Sequence, residues 1–305
     1  MKGLVTGGTG FIGSHLVDRM IEREDEVIVY DNLSKTNPHI NPKSEFVKGD
    51  LLDLGLLKDK MKGVEFVFHF AANADIARGM IETDLDLKNN VIGTYNVLEA
   101  MRINNVKKIL FASSSTVYGE TKIMPTPESH PLQPISLYGA SKVAGEALIR
   151  AFSDMFDMQA WILRFGNIVG SRHTRGVTHD FIKKLKMNKD KLEVLGDGNQ
   201  TKSYLLVDEL IDAMLLATEK SRDKINIYNI GNDTTITVKE IANIVSRVLG
   251  LNPTIKYGDK DRGWIGDVPH CLLDITKIKK LGWKPKKTSA ETIEANTHFL
   301  KDEVV

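Results

Sequence analysis

A tyrosine and a lysine four residues apart, Tyr138 and Lys142, lie in the segment Tyr-Gly-Ala-Ser-Lys at the start of a predicted helix. This spacing places both side chains on one helix face. A free phenol has a pKa of about 10, which is too high for a base at neutral pH, but a nearby ammonium stabilises the phenolate. The pair could therefore act as a general base on a hydroxyl group, although a surface tyrosine packed on a lysine stem has the same spacing.

A hydroxyl-rich loop, Ser113-Ser114-Ser115-Thr116, follows an apolar stretch that is typical of a strand. In an open parallel sheet, ligands bind at the carboxyl ends of the strands. This position predicts that the hydroxyl groups lie where a substrate binds. A serine-rich loop without a ligand is the plainer interpretation.

Three glycines, Gly7, Gly10 and Gly13, follow the first predicted strand and begin the first predicted helix. The first glycine allows a tight turn, the second lets the backbone approach a pyrophosphate, and the third lets helix and strand pack closely. The amino end of the helix then presents N–H groups to phosphates. The spacing predicts a dinucleotide site, and a ligand-free glycine turn is the alternative.

Two acidic residues follow the next strands. Asp31 ends the second predicted strand, where a carboxylate accepts hydrogen bonds from ribose hydroxyls and repels a 2′-phosphate, so it favours NAD over NADP. Asp50 follows the third strand, and it could either reach the adenine or cap the next helix.

The elements that must position these residues alternate between strands and helices over the first part of the chain. This alternation predicts an α/β fold with a Rossmann-type, doubly wound parallel sheet, and the nearly all-apolar strands suit a sheet covered on both faces. We expect an NAD-binding domain over residues 1–166 and a smaller mixed α/β substrate domain over 167–305, interleaved with the first. The predicted strands are 3–6, 27–30, 45–47, 66–70, 108–112 and 160–164, and the predicted helices are 10–23, 51–60, 85–104, 138–156, 181–187 and 208–218.

Two capping boxes in the second part, Thr237 with Glu240 and Thr288 with Glu291, predict the starts of two more helices.

The composition gives no sign of a nucleic acid, membrane or metal partner. The net charge is +1, and the longest apolar run, 64–72, is far shorter than a membrane span. A single cysteine, Cys271, fits a reducing compartment, so we expect a cytoplasmic protein.

Taken together, the motifs resemble the extended short-chain dehydrogenase/reductase family, and most closely its UDP-glucose 4-epimerase branch. The similarity covers nearly the whole chain. It is carried by TGGTGFIGSH (6–15), DNLS (31–34), GDLLD (49–53), HFAAN (69–73), NNVIGTYNVLEA (89–100), SSSTVYGE (113–120), YGASK (138–142), LRFGN (163–167) and GDGNQTKSYLLVDEL (196–210).

The resemblance implies an NAD site, in which residues contact the pyrophosphate, the adenosine or the nicotinamide side. These are Gly7, Gly10, Phe11, Ile12, Gly13, Asp31, Asn32, Ser34, Asp50, Leu51, Phe70, Ala71, Ala72, Asn90, Ser114, Tyr138 and Lys142.

It also implies that Ser114, Tyr138 and Lys142 are catalytic, with Tyr138 as the base, and that the substrate is a nucleotide sugar, a UDP-hexose. The implied substrate-binding residues are Ser114, Thr116, Tyr138, Asn167, Leu195, Lys202 and Arg262. Three of these depart from the family pattern. Lys202 replaces an arginine and lacks its bidentate fork, Arg262 is slightly displaced from the Gly266-Asp267 pair, and Leu195 stands where an aromatic residue is usual.

The loop before Val-Tyr-Gly separates the reactions within this family. Related 4,6-dehydratases carry Thr-Asp-Glu there, decarboxylases carry a glutamate at the position of Thr116, and reductases of the fucose-synthase kind use a cysteine. This loop has only hydroxyl side chains. The resemblance therefore favours a 4-epimerase that works through a transient 4-keto sugar. The alternatives are another NAD-dependent dehydrogenase, reductase or dehydratase of the family, and a non-catalytic NAD-binding regulatory protein.

The resemblance further implies a homodimer that pairs through helices 89–104 and 138–157. The residues expected to face outward, unless they are core, are Val97, Ala100 and Met101 on the first helix or Val143, Ala147 and Arg150 on the second.

Overall fold

A computed structural model describes residues 1–35, 38–263 and 268–304. Its largest sheet is parallel and has seven strands in the order β11-β6-β5-β4-β1-β2-β3. These strands are β1 Lys2–Thr6, β2 Glu26–Asp31, β3 Glu45–Lys48, β4 Phe66–His69, β5 Lys108–Ser114, β6 Gln159–Phe165 and β11 Ile225–Ile230. The predicted doubly wound α/β fold is confirmed.

The strand order reverses between β1 and β4, because the chain first builds outward to β3 and then returns to add β4 beside β1. At such a switch point, ligands generally bind in the crevice outside the carboxyl ends of the two strands. The glycine loop follows β1 and therefore lies at this crevice.

Five helices come after strands of this sheet along the chain. They are α1 Phe11–Glu22, α2 Leu54–Lys60, α3 Ile76–Ile81, α4 Gly93–Ile103 and α5 Leu137–Phe156. A further helix, α7 Val207–Lys220, directly precedes β11. A π-helical turn, Leu87–Ile92, leads directly into α4, so the predicted helix 85–104 is not regular over its whole length.

The remaining strands form three small sheets with the pairings β10-β7, β12-β9-β14 and β13-β8. These strands are β7 Asn167–Val169, β8 Lys191–Val194, β9 Thr201–Lys202, β10 Tyr204–Leu206, β12 Ile236–Thr237, β13 Thr254–Tyr257 and β14 His270–Cys271. The accompanying helices are α6 Val177–Met187, α8 Val238–Val248, α9 Thr276–Lys279 and α10 Ser289–Leu300.

Both predicted capping boxes are confirmed. The Thr237 hydroxyl accepts from the Glu240 backbone N–H while the Glu240 carboxylate accepts from the Thr237 N–H, and Thr288 with Glu291 repeats the arrangement. Each box satisfies two backbone donors at a helix start, so α8 and α10 begin where the sequence predicts.

The chain separates into two compact units, each with its own apolar core. Unit 1 comprises 1–119, 131–164 and 214–228, and unit 2 comprises 120–130, 165–213 and 229–305. Neither unit is one continuous stretch, so a single boundary between 166 and 167 does not describe the division.

For α4, the structure supports the alternative that the residues expected to face outward are core. Val97, Ala100 and Met101 are completely buried, because the periodicity of α4 turns them onto the sheet. On α5, Ala147 and Arg150 are exposed and Val143 is half-buried.

The glycine loop gives a prediction for stability. A Cβ atom on Gly13 would lie 2.3 Å from the Gly7 carbonyl oxygen and 2.9 Å from the Gly8 Cα. The obstruction is backbone, which cannot rotate away, so Gly13→Ala should lower the free energy of unfolding in urea by about 1–3 kcal/mol. Gly55→Ala in α2 is the control, because its Cβ would meet only the Asp53 side chain, at 3.3 Å. Equal stability of the two variants would contradict the prediction.

Candidate active site

The loop after β1 is built from contacts that only glycine permits. Gly7 has φ +68°, and a Cβ there would lie 2.6 Å from the Ala71 backbone nitrogen. Gly10 precedes α1 without a side-chain cap on the helix. The first turn of α1 therefore receives no side-chain cap from Gly10, which suits a phosphate-binding helix start.

The predicted adenosine-side residues lie together after β2 and β3. The two Asp31 carboxylate oxygens accept from the backbone N–H groups of Thr9 (3.1 Å) and Leu33 (2.9 Å). This fixes the carboxylate between the glycine loop and the turn after β2, while its remaining lone pairs can still accept from hydroxyl groups.

Asp50 is linked to the same region. Its carboxylate accepts from the Asn32 side-chain amide at 2.9 Å and from the Leu52 backbone N–H at 2.9 Å. It does not cap the next helix, because Asp53 is the residue that caps α2. The Ser34 N–H in turn donates to the Asn32 side chain, so the predicted residues 32, 34 and 50 form one hydrogen-bonded group.

Lys142, of the predicted catalytic set, is a buried residue of α5. It is 4% exposed, and its Nζ donates to the Ala112 carbonyl at 2.8 Å. The ammonium lies 4.9 Å from the Phe111 ring centre and 5.7 Å from the Tyr138 ring centre. Burial lowers the pKa of Lys142 to about 8, and the charges of Asp86 and Glu146 oppose that fall.

The hydroxyl loop packs against the start of α5. Ser136 caps α5 by accepting from the Gly139 N–H, and a Cβ on Gly139 would lie 2.7 Å from the Thr116 carbonyl oxygen. The glycine of Tyr-Gly-Ala-Ser-Lys thus lets the loop approach the helix that carries Tyr138. Within the loop, the Thr116 hydroxyl and backbone N–H both donate to Ser114 Oγ.

A buried ion pair lies one helical turn beyond Lys142. The Arg164 guanidinium donates to both Glu146 carboxylate oxygens, at 3.0 and 2.7 Å, and the two side chains are 4% and 7% exposed. The Ser113 hydroxyl donates to Glu146 at 2.5 Å, and Arg164 donates to the Tyr118 hydroxyl at 2.9 Å. The pair therefore fixes α5, β6 and both ends of the hydroxyl loop to each other.

A directed chain of hydrogen bonds runs through buried His69. The Thr94 hydroxyl donates to the Asn90 carbonyl at 2.5 Å, so it must accept from His69 Nε2 at 2.9 Å. His69 Nδ1 then accepts from the Thr6 hydroxyl at 2.7 Å, and that oxygen accepts from the Ala71 N–H. Burial, with a smaller effect of the Lys142 charge, lowers the pKa of His69 to about 3, so the histidine is a neutral structural link.

Asn90 is 3% exposed, and its amide is used within the protein. Its Nδ2 lies 3.0 Å from the Asn73 carbonyl oxygen, 3.0 Å from Asp86 Oδ1 and 2.9 Å from Ser141 Oγ. Ser141 adjoins Lys142, so Asn90 connects the π-helical turn to α5. The predicted cofactor residues Phe70, Ala71 and Ala72 follow β4 and are half-buried.

Four predicted substrate-binding residues belong to unit 2. Asn167 donates to the Ser203 carbonyl at 3.0 Å, and Lys202 lies in β9 beside Ile236 and Cys271. Leu195 is 63% exposed.

Arg262 pairs with Glu120 at 2.9 Å and also with Asp261. These two contacts raise the pKa of Arg262. The displacement of Arg262 was predicted relative to the Gly266-Asp267 pair, and that pair lies outside the described residues.

Among the described residues, no cluster of three histidine, cysteine or acidic side chains is arranged to hold a metal ion. No helix in the described ranges is long and apolar enough to cross a membrane.

The fold and this site define the class of protein, a Rossmann-type enzyme with the tyrosine–lysine arrangement of the short-chain dehydrogenase/reductases. The chain belongs to the NAD dependent epimerase/dehydratase family, whose model matches residues 3–231. The resemblance stated from the sequence is confirmed, and so is NAD as the cofactor. The glycine-only turn, the uncapped start of α1 and Asp31 at the end of β2 fit that cofactor.

Named relatives fall in the same group. A putative UDP-glucose 4-epimerase of Methanocaldococcus jannaschii is 39% identical over 306 residues, covering 98% of each chain. A crystal structure of a UDP-galactose 4-epimerase is 41% identical with a TM-score of 0.91, covering all of both chains. A UDP-N-acetylglucosamine 4-epimerase from Methanobrevibacter ruminantium M1, solved with UDP-N-acetylmuramic acid, is 30% identical with a TM-score of 0.88, covering 99% of this chain and 98% of that one. The prediction of an isomerase-type enzyme is confirmed.

The residues that support the predicted catalytic set were not themselves predicted from the sequence, and they are Asp86, Glu146, Arg164 and Asn73. Two signals were present. Glu146 lies four residues after Lys142, on the same helix face, and Arg164 interrupts an otherwise apolar strand. Charged residues at buried positions are usually paired, so these two were candidates for each other.

The buried ion pair gives the second prediction. Glu146→Gln should lower the free energy of unfolding by about 3–5 kcal/mol, because it leaves the Arg164 guanidinium buried without its counter-ion. The measurement is urea unfolding followed by circular dichroism. Glu45→Gln is the matched control, because it breaks the exposed pair with Lys60 and should leave the unfolding midpoint unchanged. A Glu146→Gln variant as stable as Glu45→Gln would refute the prediction.

Proposed function

We propose that this protein is an NAD-dependent UDP-sugar 4-epimerase that interconverts sugars of the UDP-glucose and UDP-galactose type. The observation that carries the proposal is the buried Lys142 ammonium beside the Tyr138 ring, facing a loop whose side chains are hydroxyls. Elimination of water or carbon dioxide needs an additional acid or base. This loop contains no carboxylate between Ser113 and Tyr118, so oxidation followed by reduction at one carbon suits it best.

The proposed roles follow from the contacts. Tyr138, as phenolate, takes the proton of the sugar 4-hydroxyl, directly or through Ser114. Lys142 keeps a positive charge next to the phenol, which favours the phenolate. Thr116 orients Ser114 by donating to its oxygen. NAD, when bound, supplies the acceptor and later the donor of the C4 hydride.

The reaction has no net redox change. The first half removes a proton and a hydride from the sugar and leaves a 4-keto sugar. The keto sugar turns over, and the hydride and proton return to its other face. Tyr138 therefore ends each turnover in the state in which it began, and the NAD should be tightly bound. We propose that Asn167, Leu195, Lys202 and Arg262 contact the nucleotide part of the substrate.

The test is to incubate purified protein with UDP-glucose, UDP-galactose, their N-acetyl forms and UDP-glucuronic acid, and to separate the C4 epimers. Epimer should form from at least one sugar without net change in NADH absorbance. Stoichiometric NADH formation would indicate a dehydrogenase instead. Absence of any epimer, in protein shown to hold NAD, would refute the proposal.

Tyr138→Phe tests the base. It removes the hydroxyl and should lower kcat by at least about 10²-fold, while NAD content and the unfolding midpoint stay close to those of the wild type. Tyr95→Phe, an exposed tyrosine of α4, is the matched control and should keep full activity. Turnover by Tyr138→Phe at the control rate would remove Tyr138 as the base.

We also propose a homodimer, with a second copy covering an apolar face on α4 and α5. Tyr95 and Ile103 on α4 are 43% and 45% exposed, and Met155 on α5 is 73% exposed. The Tyr95 ring meets Phe152 of α5 edge to face, so the two helices are in contact beside the exposed Tyr95. These are the two helices through which the family resemblance implies pairing. Val97 and Met101 are buried and cannot contact a second copy, whereas the exposed residues of the same two helices can.

A doubly substituted Tyr95→Glu/Met155→Glu variant tests this face. Burying two carboxylates in an apolar interface is unfavourable, so the variant should sediment as a monomer where the wild type sediments as a dimer. Met187→Glu, on an 80% exposed side chain of α6, should remain dimeric. A dimeric double variant would show that this face is not the interface.

A further inference from the structure

Two buried carboxylates act on the Lys142 ammonium, and only one of them has a cationic partner of its own. The Asp86 and Glu146 charges both favour the charged lysine. Glu146 is engaged with the Arg164 guanidinium through both of its oxygens. Asp86 is 2% exposed, and its hydrogen-bond donors within the described part of the chain are side-chain amides, with no cationic group among them.

The Asp86 carboxylate is held by one oxygen. Its Oδ1 accepts from the side-chain amides of Asn73 at 2.9 Å and Asn90 at 3.0 Å. Its Oδ2 is buried without a hydrogen-bond partner. An isolated buried carboxylate is strongly unfavourable unless an opposite charge compensates it, so a nearby cation stabilises the charged form of a carboxylate that has one unpaired oxygen.

The local backbone makes room for this carboxylate. A Cβ on Gly79 would lie 2.7 Å from Asp86 Oδ2, so the glycine of α3 leaves the space that the oxygen fills. The π-helical turn after Asp86 packs against α5, as does α3. Through Asn90, the carboxylate is also two hydrogen bonds from Ser141, the residue before Lys142.

We propose that Asp86 is a positioning residue for the reaction, the counter-ion that keeps Lys142 charged in its buried site and aligns it through Asn90 and Ser141. The inference rests on the proposed roles of Tyr138 and Lys142. Asp86 touches neither substrate nor cofactor in this proposal. It acts only through the lysine.

The titration of Lys142 depends on the charged and titratable groups that face it. They are Tyr138 and Glu146 on α5, His69 on β4 and Asp86 before the π-helical turn, with Arg164 on β6 behind Glu146. His69 stays neutral above about pH 3, and Glu146 is balanced by Arg164. Asp86 is therefore the one facing carboxylate among them whose charge no guanidinium balances.

The experiment compares Asp86→Asn with Asp84→Asn in the NAD-loaded protein. Asp84 is the matched control, because it lies two residues away, is exposed and pairs with Lys88. Loss of the Asp86 charge should make the buried ammonium give up its proton at lower pH, so the alkaline limb of kcat should move down by about one pH unit. The KM should change little, and Asp84→Asn should follow the wild-type profile.

A second readout does not depend on turnover. The Lys142 side chain, labelled with ¹³C at Cε and assigned by its loss in Lys142→Arg, is titrated by NMR. Its midpoint should fall in Asp86→Asn and stay at the wild-type pH in Asp84→Asn. An unchanged midpoint in Asp86→Asn overturns the proposal even if the protein is an active epimerase. A shifted midpoint supports it even if no sugar is epimerised, so the two proposals fail separately.

Asp86→Glu is the conservative variant, and it also serves if Asp86→Asn does not fold. It keeps the charge, so the Lys142 midpoint should stay near the wild-type value even if the added methylene lowers stability. A Lys142 midpoint that falls in a folded Asp86→Glu variant would show that packing, rather than charge, governs the lysine, and would overturn the proposal.

Discussion

The structure depends on one requirement, which is that an ammonium group stays charged away from water. Lys142 must lie deep enough to approach the Tyr138 ring, yet burial favours its neutral form. The surrounding elements answer this in several ways. The Ala112 carbonyl accepts a hydrogen bond, the Phe111 ring offers its face, and two carboxylates supply negative charge. Since these groups come from β5, α5 and the segment before α4, the sheet and its helices must be correctly packed before the lysine has these neighbours.

A second constraint is direction in the hydrogen bonds. The chain of donors begins at the Ala71 N–H and runs through Thr6, His69 and Thr94, each donating to the next. The Asn90 carbonyl is the final acceptor. Reversing any member would leave a buried donor or acceptor unsatisfied, at a cost of about 1–3 kcal/mol. The glycine loop and the turn that carries Asn90 are therefore fixed to each other by polar contacts with one arrangement.

The sequence predicted the sheet well because its signals are local. Six strands and the starts of α8 and α10 follow from apolar runs and capping boxes that each span a few residues. The seventh strand, β11, was missed, because Ile225–Ile230 contains two asparagines and lies far along the chain from its neighbour β6. The residues that face outward on α4 could not be identified from the sequence, for a related reason. Val97 and Tyr95 are both apolar, and only the packing on the sheet decides which one is buried.

The site was predictable to the extent that its chemistry stands in contiguous motifs. Tyr138 and Lys142, the three glycines and Asp31 could be read from spacing, whereas Asp86 could not. The proposed role of Asp86 rests on its unpaired carboxylate oxygen and on the space that Gly79 of α3 leaves for that oxygen. An aspartate before a helix ordinarily indicates a cap, and nothing in one sequence distinguishes that role from a buried counter-ion. The balance of charge between residues distant in sequence is a property of the fold, so only the folded structure reveals it.

The discontinuous make-up of unit 1 has a consequence for how the protein is made. Its sheet ends with β11, and Trp161 donates to Ala217 and Ser221, so residues 214–228 complete the core around β6. Chains emerge from the ribosome amino end first. Until that late segment arrives, β6 is an open edge able to pair with another chain. The nascent nucleotide-binding half thus needs protection through the synthesis of about fifty further residues, 165–213, that belong to the other unit.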